Sequence, residues 1–148
     1  MGSYLLTWNP SKWNWDNFNE CINAINKNGY FSDNWSCGRT KRIIKGDRIF
    51  LIRLGSKPRG IIASGWSTSS YYEDEHWDET KKIPALYIDI KLDVLLDPEQ
   101  EPIFSGTYLK SGILANMHWF PQSSGIKIPD DIAKQLVQRS TNILSIRC

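Results

Sequence analysis

Between Leu86 and Val94 every second residue is aliphatic: Leu86, Ile88, Ile90, Leu92 and Val94 alternate with Tyr87, Asp89, Lys91 and Asp93. A period of two puts the first set on one face of a strand and the second on the other. Such a strand fits a sheet with one buried and one wetter face, not a helical bundle. Two more apolar runs, Arg48 to Leu54 and Ile61 to Trp66, flank Ser56-Lys57-Pro58-Arg59-Gly60 and predict an antiparallel hairpin. Tyr4-Leu5-Leu6-Thr7-Trp8, stopped by Asn9-Pro10, predicts a further strand, and Ile126 to Ile128 a short one.

Helices are expected near the ends. Trp15, Phe18, Ile22 and Ile25 recur every three or four residues before Asn28-Gly29. Pro129-Asp130-Asp131 opens a second helical pattern, with Ile132, Leu136 and Val137 on one face and acids at the positive end of the helix dipole. Tyr30 to Thr40, rich in Ser, Asp, Asn and Gly, reads as a loop, Tyr71 to Pro84 as a long acidic connection, and Ile103 to Leu114 fits no single template. No linker or repeat divides residues 1–148, so one α+β domain is expected. Its predicted architecture is a partly closed β-barrel of about five to six mostly antiparallel strands, flanked by two to three helices.

With 41% hydrophobic and 23% charged residues, the composition is that of a globular chain. No apolar run reaches the roughly 20 residues of a membrane span, and the N-terminus lacks the zones of a signal peptide. A cytoplasmic chain without a membrane partner is expected. Cys21, Cys37 and Cys148 are odd in number and widely spaced, which speaks against a disulfide framework or a zinc site.

Net charge is only +2, but its distribution is uneven. From Gly38 to Gly60, Arg39, Lys41, Arg42, Lys45, Arg48, Arg53, Lys57 and Arg59 face one acid, Asp47; from Tyr71 to Glu101 ten acids outnumber Lys81, Lys82 and Lys91. A positive segment of this kind suits phosphates, and Arg39, Lys41, Arg42, Lys57 and Arg59 are its candidate contacts. Two solvated surfaces would give the same pattern.

Signatures of catalysis are missing: there is no phosphate-cradling glycine loop, zinc-protease helix or nucleophile elbow. Glu73, Asp74, Glu75 and Asp78 surround His76 and could bind a divalent cation or serve as a base, but no nucleophile accompanies them. A binding domain without catalytic residues, metal or cofactor is therefore expected. Seven tryptophans in 148 residues are unusual. Trp8, Trp35, Trp66, Trp77 and Trp119 sit at strand ends or in polar loops, beside hydrogen-bonding neighbours such as Asn9, Ser36, Gly38, His76, Gln122 and Ser123. A pocket for an unstacked base needs that mixture, aromatic faces to stack and polar groups to read an edge. Tryptophans packed as core beneath their loops are the plain alternative.

Taken in order, Tyr4-Leu5-Leu6-Thr7-Trp8-Asn9-Pro10, Trp35-Ser36-Cys37-Gly38, Lys45-Gly46-Asp47-Arg48, Pro58-Arg59-Gly60-Ile61, His76-Trp77-Asp78 and Trp119-Phe120-Pro121-Gln122-Ser123-Ser124-Gly125 resemble the EVE-like domains of the PUA superfamily, relatives of the YTH readers of methylated adenine in RNA. The resemblance implies a PUA-like β-barrel with a base-sized aromatic cavity. It also implies a role as the sensor of a modification-dependent restriction system, fused or bound to a nuclease or NTPase. Carried over, Trp35, Ser36 and Gly38 form one wall, and Trp8 and Asn9 come from the first strand end. Trp119, Gln122 and Ser123 close the other side, with His76 and Trp77 at the rim. The partner implied is modified DNA, read by base flipping; a YTH-like reader of methylated adenine in RNA is the alternative. Thr7-Trp8-Asn9-Pro10 stands where the EVE pattern more commonly has a Lys-x-Glu-Pro-like run, which leaves the base open.

Overall fold

A computed structural model of the chain describes residues 2–55, 59–75, 80, 83–96, 104–121 and 124–147, with side chains described except at 106, 107, 113 and 139–147. The strands are β1 (Ser3–Trp8), β2 (Phe31–Ser36), β3 (Arg48–Arg53), β4 (Gly60–Ser67), β5 (Tyr72–Asp74), β6 (Ala85–Leu95), β7 (Phe104–Ser105) and β8 (Ile126–Ile128). The helices are α1 (Phe18–Asn28), α2 (Gly106–Leu109) and α3 (Asp130–Arg147), with a 3-10 turn at Gly112–Asn116. Along the sheet the order is β2-β6-β4-β3-β1-β8, with β5 on β6 and β7 on β4; β1 and β3 run parallel and the other pairs antiparallel.

Alternation along the central strands sends side chains into two cores. Tyr4, Leu6 and Trp8 of β1 and Ile49 and Leu51 of β3 join the first, against which Phe18, Ile22 and Ile25 of α1 pack. Leu5 of β1 and Phe50 and Ile52 of β3 join the second, closed by Leu114, Trp119 and the α3 residues Ile132, Ala133 and Leu136. Strands buried on both faces must be apolar throughout, hence the unbroken runs in β1 and β3. α1 stops where expected: Gly29 turns left-handed at φ 88° and its N–H bonds the Ile25 carbonyl.

Register shifts between Leu51 and Ile52 and between Ser64 and Gly65 bend the sheet. No ladder among the described residues joins β8 to β2, so the barrel stays open. Instead the chain leaving β2 touches the chain entering β8. Gly38 (φ 65°) and Gly125 (φ 84°) make that contact feasible. A Cβ at Gly38 would lie 2.4 Å from the Ser124 carbonyl oxygen, and one at Gly125 2.2 Å from that of Cys37. The Thr40 hydroxyl donates to Gly125 O at 2.5 Å, and the Thr7 N–H donates to Ser124 Oγ at 3.1 Å.

Three departures from expectation stand out. The described residues form eight strands where about five or six are expected, because β5 and β7 are too short to leave a periodic signature. The expected loop around Trp35 contains β2, paired with β6 from Phe31↔Leu92 to Ser36↔Tyr87. Its inner face reads Phe31, Asp33, Trp35, and the acid in the middle hides the apolar alternation. Trp15 precedes α1 instead of lying in it, yet is buried in the first core. No described helix is long and apolar enough to cross a membrane.

Candidate functional site

At the C-terminal ends of β1, β2 and β3, beside the Gly38–Gly125 contact, the surface opens into a cleft of about 1230 Å³. One wall is the tryptophan cluster. Trp13 meets Trp35 edge-on (5.2 Å between centroids, 89°), and Trp15 lies behind Trp35 at 5.0 Å and Trp8 at 5.4 Å. The cluster is tied by its own N–H groups: Trp35 Nε1 donates to Thr7 O and Trp8 Nε1 to Trp13 O, each at 3.0 Å. With these donors satisfied internally, Trp8 and Trp35 offer the cleft apolar surface. Trp13 is the one of this group that stands 37% exposed.

Polar groups border the aromatic wall. Asn9, Ser36 and Gly38 line the cleft, as do Thr7, Asp33 and Ser124. The Asn9 side-chain oxygen Oδ1 accepts from the Ser11 N–H and hydroxyl, which fixes the turn after β1. Tyr87 of β6 lies opposite Ser36 on β2 and Tyr72 on β5, is 7% exposed, and donates its hydroxyl to Glu75 O at 2.8 Å. Burial pushes the neighbouring Tyr72 phenol up to about 12, helped by its bond to Asp89.

Charge divides the rim. Lys12, Arg39 and Arg59 line one part of the cleft, Asp74 and Glu75 another. Arg59 is held by its Nε bond to Gly55 O at 2.7 Å, with its guanidinium 5.9 Å from the Phe120 ring. Lys41 and Arg42 are exposed but outside the cleft lining, and Lys41 lies 5.9 Å from the Tyr71 ring. Lys57 falls outside the described residues, as do His76, Trp77, Gln122 and Ser123.

The structure thus brings Trp8, Asn9, Trp35, Ser36, Gly38, Arg39 and Arg59 to one cleft. Two expected pocket residues lie elsewhere. Trp119 is 3% exposed in the second core, its Nε1 donating to Leu114 O at 2.7 Å; its sequence neighbours Phe120 and Pro121 line the cleft instead. Trp66 is on β4, paired with Arg48 on β3 and Lys91 on β6, with the Arg48 guanidinium 4.6 Å from its ring. Its position at the far end of β4, away from the paired ends of β1 and β3, keeps it from the cleft.

Sequence reasoning missed Lys12, Trp13, Asp33, Tyr87 and Ser124. Trp13 carried a signal, an aromatic in the polar stretch right after β1, and so did Tyr87, the one large aromatic on the supposedly wet face of β6. Burial raises the thiols of Cys21 and Cys37, the latter to about 11, so both stay protonated at neutral pH. Among the described residues no three His, Cys, Asp or Glu side chains gather as a metal site.

No protein-family profile matches the chain, and no curated protein matches its sequence. Solved structures do match its architecture. A hypothetical protein from Leishmania major superposes with a TM-score of 0.68 at 16% identity, covering 97% of each chain. Human THYN1, solved in complex with DNA containing 5-methylcytosine, superposes at 0.62 with 15% identity over 94% of this chain and 98% of its own. A protein from Rhodopseudomonas palustris gives 0.62 at 18%, covering 95% and 94%. The chain has a PUA-like α+β fold. At these identities the likeness is one of fold, and the cleft stands on its own residues.

Proposed function

We propose that this chain is a DNA-binding module that reads a modified cytosine by taking the base out of the duplex into the tryptophan-lined cleft. The observation that carries this is the cleft itself, an aromatic wall with polar neighbours and a rim that is cationic along one part, at one end of the sheet. The fold shared with THYN1, a protein seen with 5-methylcytosine DNA, supports the choice of ligand. In this scheme the module is the sensor of a modification-dependent restriction system and acts with a nuclease or NTPase effector.

The chemistry divides into three parts. Lys12, Arg39 and Arg59 attract phosphates, a sequence-blind term that fades with salt. Extruding a base costs a few kcal/mol. Stacking against the indole wall returns roughly 1–3 kcal/mol. Burying one methyl adds about 0.8 kcal/mol, about a fourfold preference. The test is a titration of matched duplexes carrying cytosine, 5-methylcytosine, 5-hydroxymethylcytosine or N6-methyladenine at two salt concentrations, with single-stranded methylated RNA alongside. Preference for a cytosine modification in DNA supports the proposal. Equal binding to every duplex rejects it, and tighter binding to the RNA moves the module to the RNA readers. Replacing Arg39 and Arg59 with Ala should lower affinity for all duplexes alike and flatten the salt slope by about 2.

A further inference from the structure

Asp33 is out of place among its neighbours. It occupies the inner face of β2 between Phe31 and Trp35, both packed into the first core, where an apolar residue would complete the strand. Its side chain is half-buried and lines the cleft. It accepts the Asn34 N–H at 2.8 Å, and among the described residues no cation pairs with it. Burial holds its carboxyl above the usual range, only partly offset by that bond. Nearby Cys21 of α1, whose thiol is raised chiefly by burial, is raised further by this carboxylate. An acid kept in such a place without a partner costs desolvation free energy, and in a cleft it is a candidate for contact with a ligand.

A pocket reading 5-methylcytosine faces a specific competitor. Thymine has the same ring and the same 5-methyl, so stacking and methyl burial cannot tell the two apart. They differ at position 4, where cytosine carries an amine that donates and thymine a carbonyl that accepts. A carboxylate accepts from the amine and repels the carbonyl. Asp74 and Glu75 also border the cleft, but both are exposed, where water weakens any such preference.

We propose that Asp33 is the residue that selects amino-bearing pyrimidines, accepting a hydrogen bond from the exocyclic amine of the flipped cytosine and turning thymine away. This rests on the cleft being the base pocket. Three DNA duplexes test it, with 5-methylcytosine, thymine or 5-methylpyrimidin-2-one (the methylated ring without the amine) opposite an abasic site, so that no pairing partner biases extrusion. Wild-type protein and the near-isosteric Asp33→Asn are titrated with each, and thermal melting checks that the variant is folded.

Wild type should bind the 5-methylcytosine duplex at least about tenfold tighter than either of the others, the size of one good base-edge contact. Asp33→Asn, whose amide can rotate to accept from the amine or donate to the carbonyl, should bring 5-methylcytosine and thymine within about threefold of each other, with the amine-free ring still the weakest. If the folded variant keeps the wild-type ratios, another group reads the amine; Asp33 is then excluded while the pocket stands. If wild type binds all three alike, the amine is not read and the role of Asp33 falls, while the pocket itself stands or falls by the separate comparison of methylated with plain cytosine duplexes. Should Asp33→Asn fail to fold, the wild-type arm still decides against the proposal if deleting the amine leaves affinity unchanged.

Discussion

Trp35 and Trp119 are alike in nearly every local respect. Each is buried, at 7% and 3% exposure, and each donates its indole N–H to a backbone carbonyl. Trp35 lies in β2 and Trp119 just past the 3-10 turn, and each has hydrogen-bonding residues within a few positions in the sequence. Yet Trp35 borders open space at the ends of β1 and β2, whereas Trp119 is sealed beneath the 3-10 turn and α3. Burial and hydrogen bonding are therefore the same for a wall residue and a core residue. What separates them is whether a neighbouring element covers the ring, and α3 covers only one face of the sheet.

The largest effect expected from breaking this comparison is in stability. Trp119→Ala should destabilise the fold by about 3–5 kcal/mol in denaturant titration, as loss of a buried aromatic does, while the folded fraction keeps its preference between modified and plain DNA. Gly38→Ala comes next. Its Cβ meets the Ser124 carbonyl in a left-handed backbone, so the joint between the two sides should lose about 2 kcal/mol, and base binding should weaken with it. Trp13→Ala is the converse of Trp119→Ala. Because Trp13 is partly exposed, its melting temperature should move little, while affinity for the modified duplex drops about tenfold, one stacking contact. Trp66→Ala should do least: loss of the Arg48 stack costs about 0.5–1 kcal/mol, and base preference is unchanged.

Much of the frame was legible from local pattern. Alternation in β6, the β3–β4 hairpin, the apolar run of β1 and the Gly29 stop of α1 are short-range features, and each appears as read. Trp8 and Asn9 could be placed because the end of the β1 run and the turn after it are visible along the chain, whereas Trp35, Ser36 and Gly38 stood out as an aromatic with polar neighbours in a stretch that reads as loop. What stayed hidden depends on contacts far apart in sequence. β2 is a strand because β6 pairs with it, although Ser32, Asp33 and Asn34 disfavour one. Tyr87 is buried because β5 and β2 flank it, which no alternation within β6 could reveal. Trp66 and Trp119 carried the same polar-neighbour signal as Trp35, and only the sheet order and the placement of α3 separate them.

The most direct test of the central claim is to follow the indole N–H resonances of ¹⁵N-labelled protein while adding a duplex with a single 5-methylcytosine. If the cleft is the base pocket, the signals of Trp8, Trp13 and Trp35 shift with the modified duplex more than with its plain counterpart, and those of Trp66 and Trp119 stay in place. Shifts at Trp66 or Trp119 with the three cleft indoles unmoved would contradict the account and put the binding site on another face of the sheet.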